Sequence, residues 1–295
     1  MDKSKVAAVI VSYNIGEKIY KCYDSIKNQV DCTIIVDNGS NESTVNELKK
    51  IEKNIKTKVI YLSNNKGIAI ALNEGIKEAI NLGYTWVITL DNDSKATENM
   101  VSIMKEAYDN LGEDDKKQIV SLAPRYIQEG EYFKTLKEYG ISYESLVITS
   151  GNLVKTSIFE EIGFFNEEYF IDYVDNEFCL RILEANKKII QVKEAVLEHN
   201  LGDLKIKKIF GKTIKSTNHS AIRRYYLTRN SMDVYYRYKK LNVRHINNTK
   251  RVLLKFIIQI LLVEDEKFNK VKHMYWGYKD YKNRKFGEFN RKWVI

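Results

Sequence analysis

The sequence predicts an α/β protein: a mostly parallel sheet flanked by helices, followed by a helical C-terminal region. Three observations predict it. Short, continuous apolar runs rich in β-branched residues recur through the first hundred residues, as strands buried on both faces do. Segments with helical spacing separate them, the pattern of strand–helix–strand crossovers. From residue 218 onward only helical spacing remains.

Taken in order, Val6 to Val11 is the first strand, and Glu17 to Asn28 follows as a helix with Ile19, Tyr23 and Ile26 on one side. Cys32 to Val36 is the second strand and runs into Asp37-Asn38-Gly39-Ser40, a strong turn signal. Ser43 to Asn54 reads as a helix capped by Ser43. Val59 to Leu62 is a third strand, Ile68 to Leu82 a helix, and Trp86 to Leu90 the fourth strand. The middle is less regular. Val147-Ile148-Thr149 reads as a strand leading to Ser150-Gly151-Asn152, Phe159 to Gly163 as a short helix, Asp175 to Ala185 as a helix, and Gln191 to Leu197 as a strand ending near His199.

Val252 to Val263 spans twelve positions with two polar residues, Lys255 and Gln259. A membrane span needs roughly 20 apolar residues, so this stretch is too short to cross. Two readings stand: a packing helix, or a helix lying in a membrane interface and flanked by Arg251, Lys267, Lys270 and Lys272. The expected division is residues 1–230 as one domain and 231–295 as a helical C-terminal region.

Composition narrows the function classes. A single proline, Pro124, and 14 glycines argue against a disordered or linker-rich chain. The formal net charge is +9, and five lysines fall between Lys205 and Lys215 with no acid among them. Such a surface favours anionic partners: nucleotide phosphates, anionic lipids or nucleic acid. Cys22, Cys32 and Cys179 are scattered and form no Cys-x-x-Cys, so neither a zinc site nor a disulfide framework is expected, and a reducing, cytoplasmic compartment is. The opening Met1-Asp2-Lys3-Ser4-Lys5 lacks an adequate apolar region and a cleavage site, so no signal peptide is read.

In parallel sheets ligands bind at the carboxyl ends of the strands. Tyr13-Asn14, Asp37 and the pair Asp91/Asp93 all follow strands, so they are expected at one edge. Along an extended strand residues i and i+2 point the same way, so Asp91 and Asp93 can share one hard cation whose other positions take water and phosphate oxygens. A polar turn closing the strand is the plainer reading of the same residues.

Together, a series of motifs resembles the family 2 glycosyltransferases, and within them the bacterial rhamnosyltransferase-like branch. The series begins with Val9-Ile10-Val11-Ser12-Tyr13-Asn14, Ile35-Val36-Asp37-Asn38-Gly39-Ser40 and Asn64-Asn65-Lys66-Gly67-Ile68-Ala69. Leu90-Asp91-Asn92-Asp93-Ser94, Ser150-Gly151-Asn152-Leu153-Val154 and the run from Phe170 to Arg181 follow. His199-Asn200-Leu201-Gly202-Asp203 and Arg224-Tyr225-Tyr226-Leu227-Thr228-Arg229-Asn230 close it. The motifs fall in family order between about residues 6 and 230; the last 65 or so match less specifically.

The resemblance implies a GT-A (Rossmann-like) fold and an inverting transfer of sugar from a nucleotide donor, with Mg²⁺ or Mn²⁺ as cofactor. Tyr13, Asn14 and Asp37 would hold the donor's base and ribose; an Asx-turn with Gly39 is the local alternative for Asp37. Asn65 and Gly67 would line the donor site where a helix N-terminus favours anions, or simply cap and turn the chain. Asp91 and Asp93 become the metal-binding pair, with Asp93 the more direct ligand, and His199 a metal or diphosphate ligand or a structural histidine. Asp175 matches the catalytic base at a helix start, where capping is the alternative role; Asp172 can share its acidic function, and Arg181 can pair with Glu177 one turn away. Arg224 and Arg229 would contact phosphates. The lysine-rich segment after residue 204 reads as a mobile loop closing over the diphosphate, or as a solvated basic face.

The branch implies dTDP-L-rhamnose as donor and a lipid-linked or growing surface polysaccharide (cell wall or capsule) as acceptor. That implies a peripheral place at the inner face of the cell membrane, with a homodimer possible. A UDP-hexose donor on the same fold is the alternative. Outside enzymes, the charge and the 20 tyrosines allow a basic membrane- or nucleic-acid-binding module, although no nucleic-acid motif is present and no nucleic-acid partner is expected. Acceptor specificity is expected in the segment from Arg125 to Glu144 and in the C-terminal helices.

Overall fold

Seven consecutive buried residues make Val6–Ser12 strand β1. Cys32–Asp37 (β2) is likewise buried along its length, and the two pair in parallel with Ser12 opposite Asp37. This computed structural model describes residues 5–128, 138–199, 205–209 and 212–290. Asn200 to Asp203 of the histidine motif, and residues 129–137 of the expected acceptor segment, lie outside the described residues.

Between β1 and β2, helix α1 (Ile19–Ile26) buries Ile19, Tyr23 and Ile26, the face its spacing predicts; its expected first turn is a 3-10 turn, Gly16–Lys18. Helix α2 (Glu42–Ile51) is capped by Asn41, not Ser43: the Asn41 side-chain oxygen accepts from the Thr44 N–H at 3.1 Å. Strand β3 (Thr57–Tyr61) pairs with β2 alone and is only partly buried, as an edge strand is. Helix α3 (Ile68–Asn81) lies on β1 and β2, where a Cβ at Gly75 would come within 2.5 Å of Val9. Strand β4 (Trp86–Asp91) pairs with β1 in parallel, setting Val11 opposite Asp91. The carboxyl ends of β1, β2 and β4 therefore meet at one edge, as expected.

The chain continues through β5 (Lys95–Ala96), α4 (Met100–Asp109), α5 (Glu113–Gln118), β6 (Ile119–Ile127), β7 (Ile141–Glu144), β8 (Asn152–Lys155), α6 (Ser157–Ile162), α7 (Val174–Glu184) and β9 (Lys188–Glu198). The sheet order is β3-β2-β1-β4-β8-β6-β9-β5, with β7 on β9. Beyond β4 the sheet is mixed: β8 runs antiparallel to β4 and β6, and β6 is parallel to β9. The strand expected at Val147 to Thr149 begins instead at Asn152. Gly151 turns the chain at φ +78°, with its missing Cβ leaving room for Pro124, and the ladder forms after that turn.

Contacts divide the chain into two compact units: Met1–Phe165 with Phe178–Asn200, and Asn166–Glu177 with Leu201–Ile295. The boundary expected at residue 230 would cut helix α8 (Ala221–Tyr238), which runs unbroken. The first unit holds strands β1 to β9. The second holds the hairpin β10 (Lys205–Ile209) and β11 (Lys212–Ser216), then α8, α9 (Arg244–Asn247), α10 (Thr249–Leu262) and α11 (Lys267–Lys282). The lysine-rich segment, expected as a mobile loop or a solvated basic face, is a paired hairpin with Lys205 opposite Ser216, and Lys207 and Lys208 are exposed. No described helix is long and apolar enough to cross a membrane.

Helices α8 and α11 pack closely. A Cβ at Gly277 would stand 2.4 Å from the Tyr225 carbonyl oxygen, a backbone atom that cannot yield locally. Gly277→Ala is therefore expected to destabilise the second unit by about 1–3 kcal/mol, the cost of overpacking, read as a lower urea midpoint.

Candidate active site

Two loops at the sheet edge are built around asparagines. Asn14, at φ +51°, accepts from the Asn41 N–H through its side chain at 2.8 Å, while its own N–H donates to the Ser40 hydroxyl at 3.0 Å. Asn38 is the tie to the next loop: its amide donates to Asn65 Oδ1 at 3.1 Å and accepts from the Lys66 N–H at 2.9 Å. Asn65 in turn accepts from the Gly67 N–H at 2.9 Å, and Gly67 turns the chain into α3 at φ +89°. A Cβ at Gly39 would fall 2.4 Å from the Asn64 backbone, so the two loops touch only because Gly39 lacks one.

Asp37 stands where these loops meet. It is 2% exposed; Oδ2 accepts from the Ser40 N–H at 3.1 Å, the Asx-turn expected, while Oδ1 is buried with no hydrogen-bond partner. A buried, unsatisfied carboxylate oxygen is costly and calls for a donor. Asp37 lines a cavity of about 360 Å³ with Gly39, Ser40, Val45, Lys49, Tyr61 and Leu62. That volume lies in the range of small-molecule sites. Tyr13 is exposed beside this edge, at the end of β1.

Asp91 and Asp93 come together by a turn rather than by strand alternation. Strand β4 ends at Asp91, and the Ser94 N–H closes the turn onto the Asp91 carbonyl at 3.1 Å. Immediately afterwards β5 pairs antiparallel with the end of β9, Lys95 opposite Glu198. That pairing delivers His199. One ligand atom from each of Asp91, Asp93 and His199 lies within 4.8 Å of the others.

The imidazole is held from behind. His199 Nδ1 is 2.9 Å from the Ser94 hydroxyl, which lies 2.7 Å from the Ser150 hydroxyl, and Ser150 accepts from the Asp91 N–H at 3.0 Å. Both serines are buried. Engagement of Nδ1 leaves Nε2 as the ring atom for a ligand. Two oxygens and an imidazole suit a hard or borderline divalent ion such as Mg²⁺ or Mn²⁺. Opposed ligands on such an ion stand about 4 Å apart, so the cluster fits one with a small inward shift.

In the second unit Asp172 and Tyr173 hold left-handed backbone, φ +64° and +65°, just before α7. Two consecutive non-glycine residues there store strain that surrounding contacts must hold. Helix α8 supplies them. The Asn230 amide donates to the Ile171 and Asp172 carbonyls, both at 2.9 Å, and Arg223 grips the Asp172 carboxylate at 3.1 and 3.2 Å. Burial pushes the Asp172 carboxyl up, and the Arg223 guanidinium opposes that rise. Asp175 follows in the first turn of α7, where the helix N-terminus favours an ionised carboxylate, and accepts from the Asn176 N–H at 2.8 Å. Glu177 accepts from the Tyr238 hydroxyl at 2.7 Å, and Arg181 donates to the Ile162, Gly163 and Phe164 carbonyls.

Arg224 and Arg229, expected on phosphates, are fully buried in this unit. Arg224 pairs with buried Glu264, which also accepts from Lys270 at 2.9 Å. Arg229 donates to the Gly287 carbonyl at 2.8 Å and the Glu168 carbonyl at 3.3 Å. Both guanidinium groups thus sit among interior partners, while Nε and Nη1 of Arg224 are buried without a hydrogen-bond partner.

The sequence profile of Glycosyl transferase family 2 matches residues 7–175. A dTDP-rhamnosyl transferase, RfbF of Shigella flexneri, is 30% identical over 288 residues, covering 92% of each chain. The chain belongs to glycosyl transferase family 2. Its fold is GT-A: S. aureus TarS superposes with a TM-score of 0.55 at 14% identity, over 94% of this chain and 43% of its own. GalNAc-T7 with UDP, GalNAc and Mn²⁺ gives 0.54 at 14% identity, over 70% of this chain and 44% of its own. The chain spans less than half the length of those two structures, and the likeness to them is one of fold.

In this glycosyltransferase, reading by motif passed over Ser94, Ser150 and Asn38, which hold the sheet-edge loops of the first unit, and Asn230, which holds the strained turn of the second. The three loop residues sit inside quoted motifs, beside the acids and glycines that drew attention. Their signal is local: a small hydroxyl or amide within two residues of a strand end. Their partners lie 27 to 105 residues away.

Proposed function

We propose that this glycosyltransferase moves L-rhamnose from dTDP-L-rhamnose, with inversion, onto a lipid-linked or growing surface polysaccharide at the inner face of the cell membrane. The observation carrying the reading is the Asp91–Asp93–His199 cluster at the same sheet edge as the orphaned Asp37 oxygen. One accounts for a diphosphate's charge and the other for a base. The dTDP-rhamnosyl transferase likeness, over nearly the whole chain, supports the donor.

Asp37 Oδ1 would accept from the pyrimidine N–H or a ribose hydroxyl, with Tyr13 and Asn14 beside the base. Asn65 and Gly67 would shape the loop over the donor. Asp91, Asp93 and the His199 imidazole would hold Mg²⁺ or Mn²⁺, which when bound supplies positive charge to the departing diphosphate. Asp175 would take the acceptor hydroxyl's proton as that oxygen bonds to the anomeric carbon and the anomeric C–O bond to phosphate breaks. The products are the glycosylated acceptor and dTDP, and no covalent enzyme intermediate is formed. The deciding test is a thermal-shift and hydrolysis screen of dTDP- and UDP-sugars with Mn²⁺ and Mg²⁺. Stabilisation by dTDP-rhamnose above UDP-hexoses is expected, and the reverse order would overturn the donor.

Ser94 and Ser150 are positioning residues in this reading. Ser94→Ala removes the partner of His199 Nδ1 and is expected to weaken Mn²⁺ binding about 10–100-fold, measured by calorimetry without donor. Unchanged Mn²⁺ affinity would reject the role.

A further inference from the structure

Helix α10 buries Ile260 and half-buries Val252, Leu253, Phe256 and Ile257, yet it also turns an apolar stripe outward. Its buried side includes the polar Thr249 and Gln259, whereas Leu254 (59% exposed), Ile258 (49%) and Leu261 (52%) lie outside with Leu262. These positions recur at spacings of three and four, so they form one continuous face. A water-facing side would carry polar residues there, so this face is built to be covered.

The surroundings of the face say by what. Arg251 and Lys255 stand exposed on the same side of the helix. At its C-terminal end the β10–β11 hairpin adds exposed Ile206, and Lys207, whose ammonium lies 3.4 Å from the Leu262 carbonyl. Lys208 is exposed one residue on. Of the acids nearby, Asp265 pairs with Lys205, Glu264 is buried with Arg224 and Lys270, and Glu266 is exposed and accepts from the Asn269 amide. The result is an aliphatic centre with a cationic rim. A second copy of the chain on this face would set that rim against its own cations. An anionic lipid surface satisfies both parts, headgroups meeting the rim and acyl chains the centre.

We propose that the outer face of α10, together with the β10–β11 hairpin, docks this protein on anionic lipid. The helix lies in the interface and does not cross it. This assignment rests on the membrane location in the proposed function but uses no residue of the donor site, so its failure would leave the transfer reaction standing.

The test is flotation of the intact protein with vesicles of phosphatidylglycerol and phosphatidylcholine in equal parts, and with vesicles of phosphatidylcholine alone. Binding to the anionic vesicles at low salt, and little to the neutral ones, is expected. Each lysine near such a surface contributes about fivefold, so Lys207→Gln with Lys208→Gln should weaken binding roughly 25-fold. Leu254→Ser with Ile258→Ser should abolish it even at low salt while leaving the circular dichroism unchanged, since both side chains already face solvent. Failure of the wild-type protein to bind anionic vesicles would overturn the proposal, as would wild-type binding by the serine variant. A wild-type dimer in sedimentation that the serine variant breaks, with no vesicle binding by either, would overturn it in favour of a second copy on this face.

Discussion

Asp93→Ala is expected to remove divalent-ion binding and to lower turnover by about a thousandfold. In the proposed site the carboxylate would be one of three ligating groups, and its loss would leave Asp91 and His199, too few to hold an ion against a diphosphate's pull. The charge on the leaving group would then go uncompensated, a loss comparable to removing a main electrostatic contact in other active sites. Two measurements check it: Mn²⁺ titration by calorimetry, and release of nucleoside diphosphate from dTDP-rhamnose. The Asp91→Ala variant should behave similarly, while both keep their fold because Asp93 is exposed and Asp91 half-buried. Full activity of the wild-type enzyme with every divalent ion chelated would remove the metal from the mechanism.

Asp175→Asn is expected to bind donor as the wild type does and to transfer sugar about 10²–10⁴-fold more slowly, the usual contribution of a positioned base. The change is isosteric, and asparagine can keep the short contact with the Asn176 N–H at the start of α7. The effect should therefore fall on kcat and spare the donor's Kd. Asp172→Asn is the informative comparison. It breaks the grip of Arg223 on the strained turn and should lower thermal stability, because it disturbs the loop rather than the proton transfer. Turnover of Asp175→Asn at the wild-type rate would reject Asp175 as the base.

Much of the first unit was legible in the sequence because the signals there are local. A run such as Trp86 to Leu90 reads as a strand with both faces covered, and helices between such runs favour parallel pairing. Errors gathered where a tertiary constraint outweighed local propensity. Val147 to Thr149 has strand-forming residues, yet the ladder begins at Asn152, after Gly151 packs on Pro124. Arg224 and Arg229 look like phosphate ligands because arginine so often is one. Both lie in the interior, which their spacing does not show, and no spacing rule reveals that Arg224 meets Glu264 and Arg229 the Glu168 and Gly287 carbonyls, 40 to 61 residues away; the phosphate role itself stays an expectation.

For the acidic pair, the sequence alone determined that Asp91 and Asp93 close a buried strand at the carboxyl edge of the sheet, with one residue between them. Hydrophobic runs and short turn motifs act over a few residues, so they can be read directly. Only the tertiary structure decided that a tight turn brings the two carboxylates together, that β5 pairs with β9 to bring His199 from 105 residues beyond Ser94, and that two buried serines orient its ring. Those outcomes depend on which strand ends pair, and that pairing is settled by packing of the whole sheet rather than by any one segment.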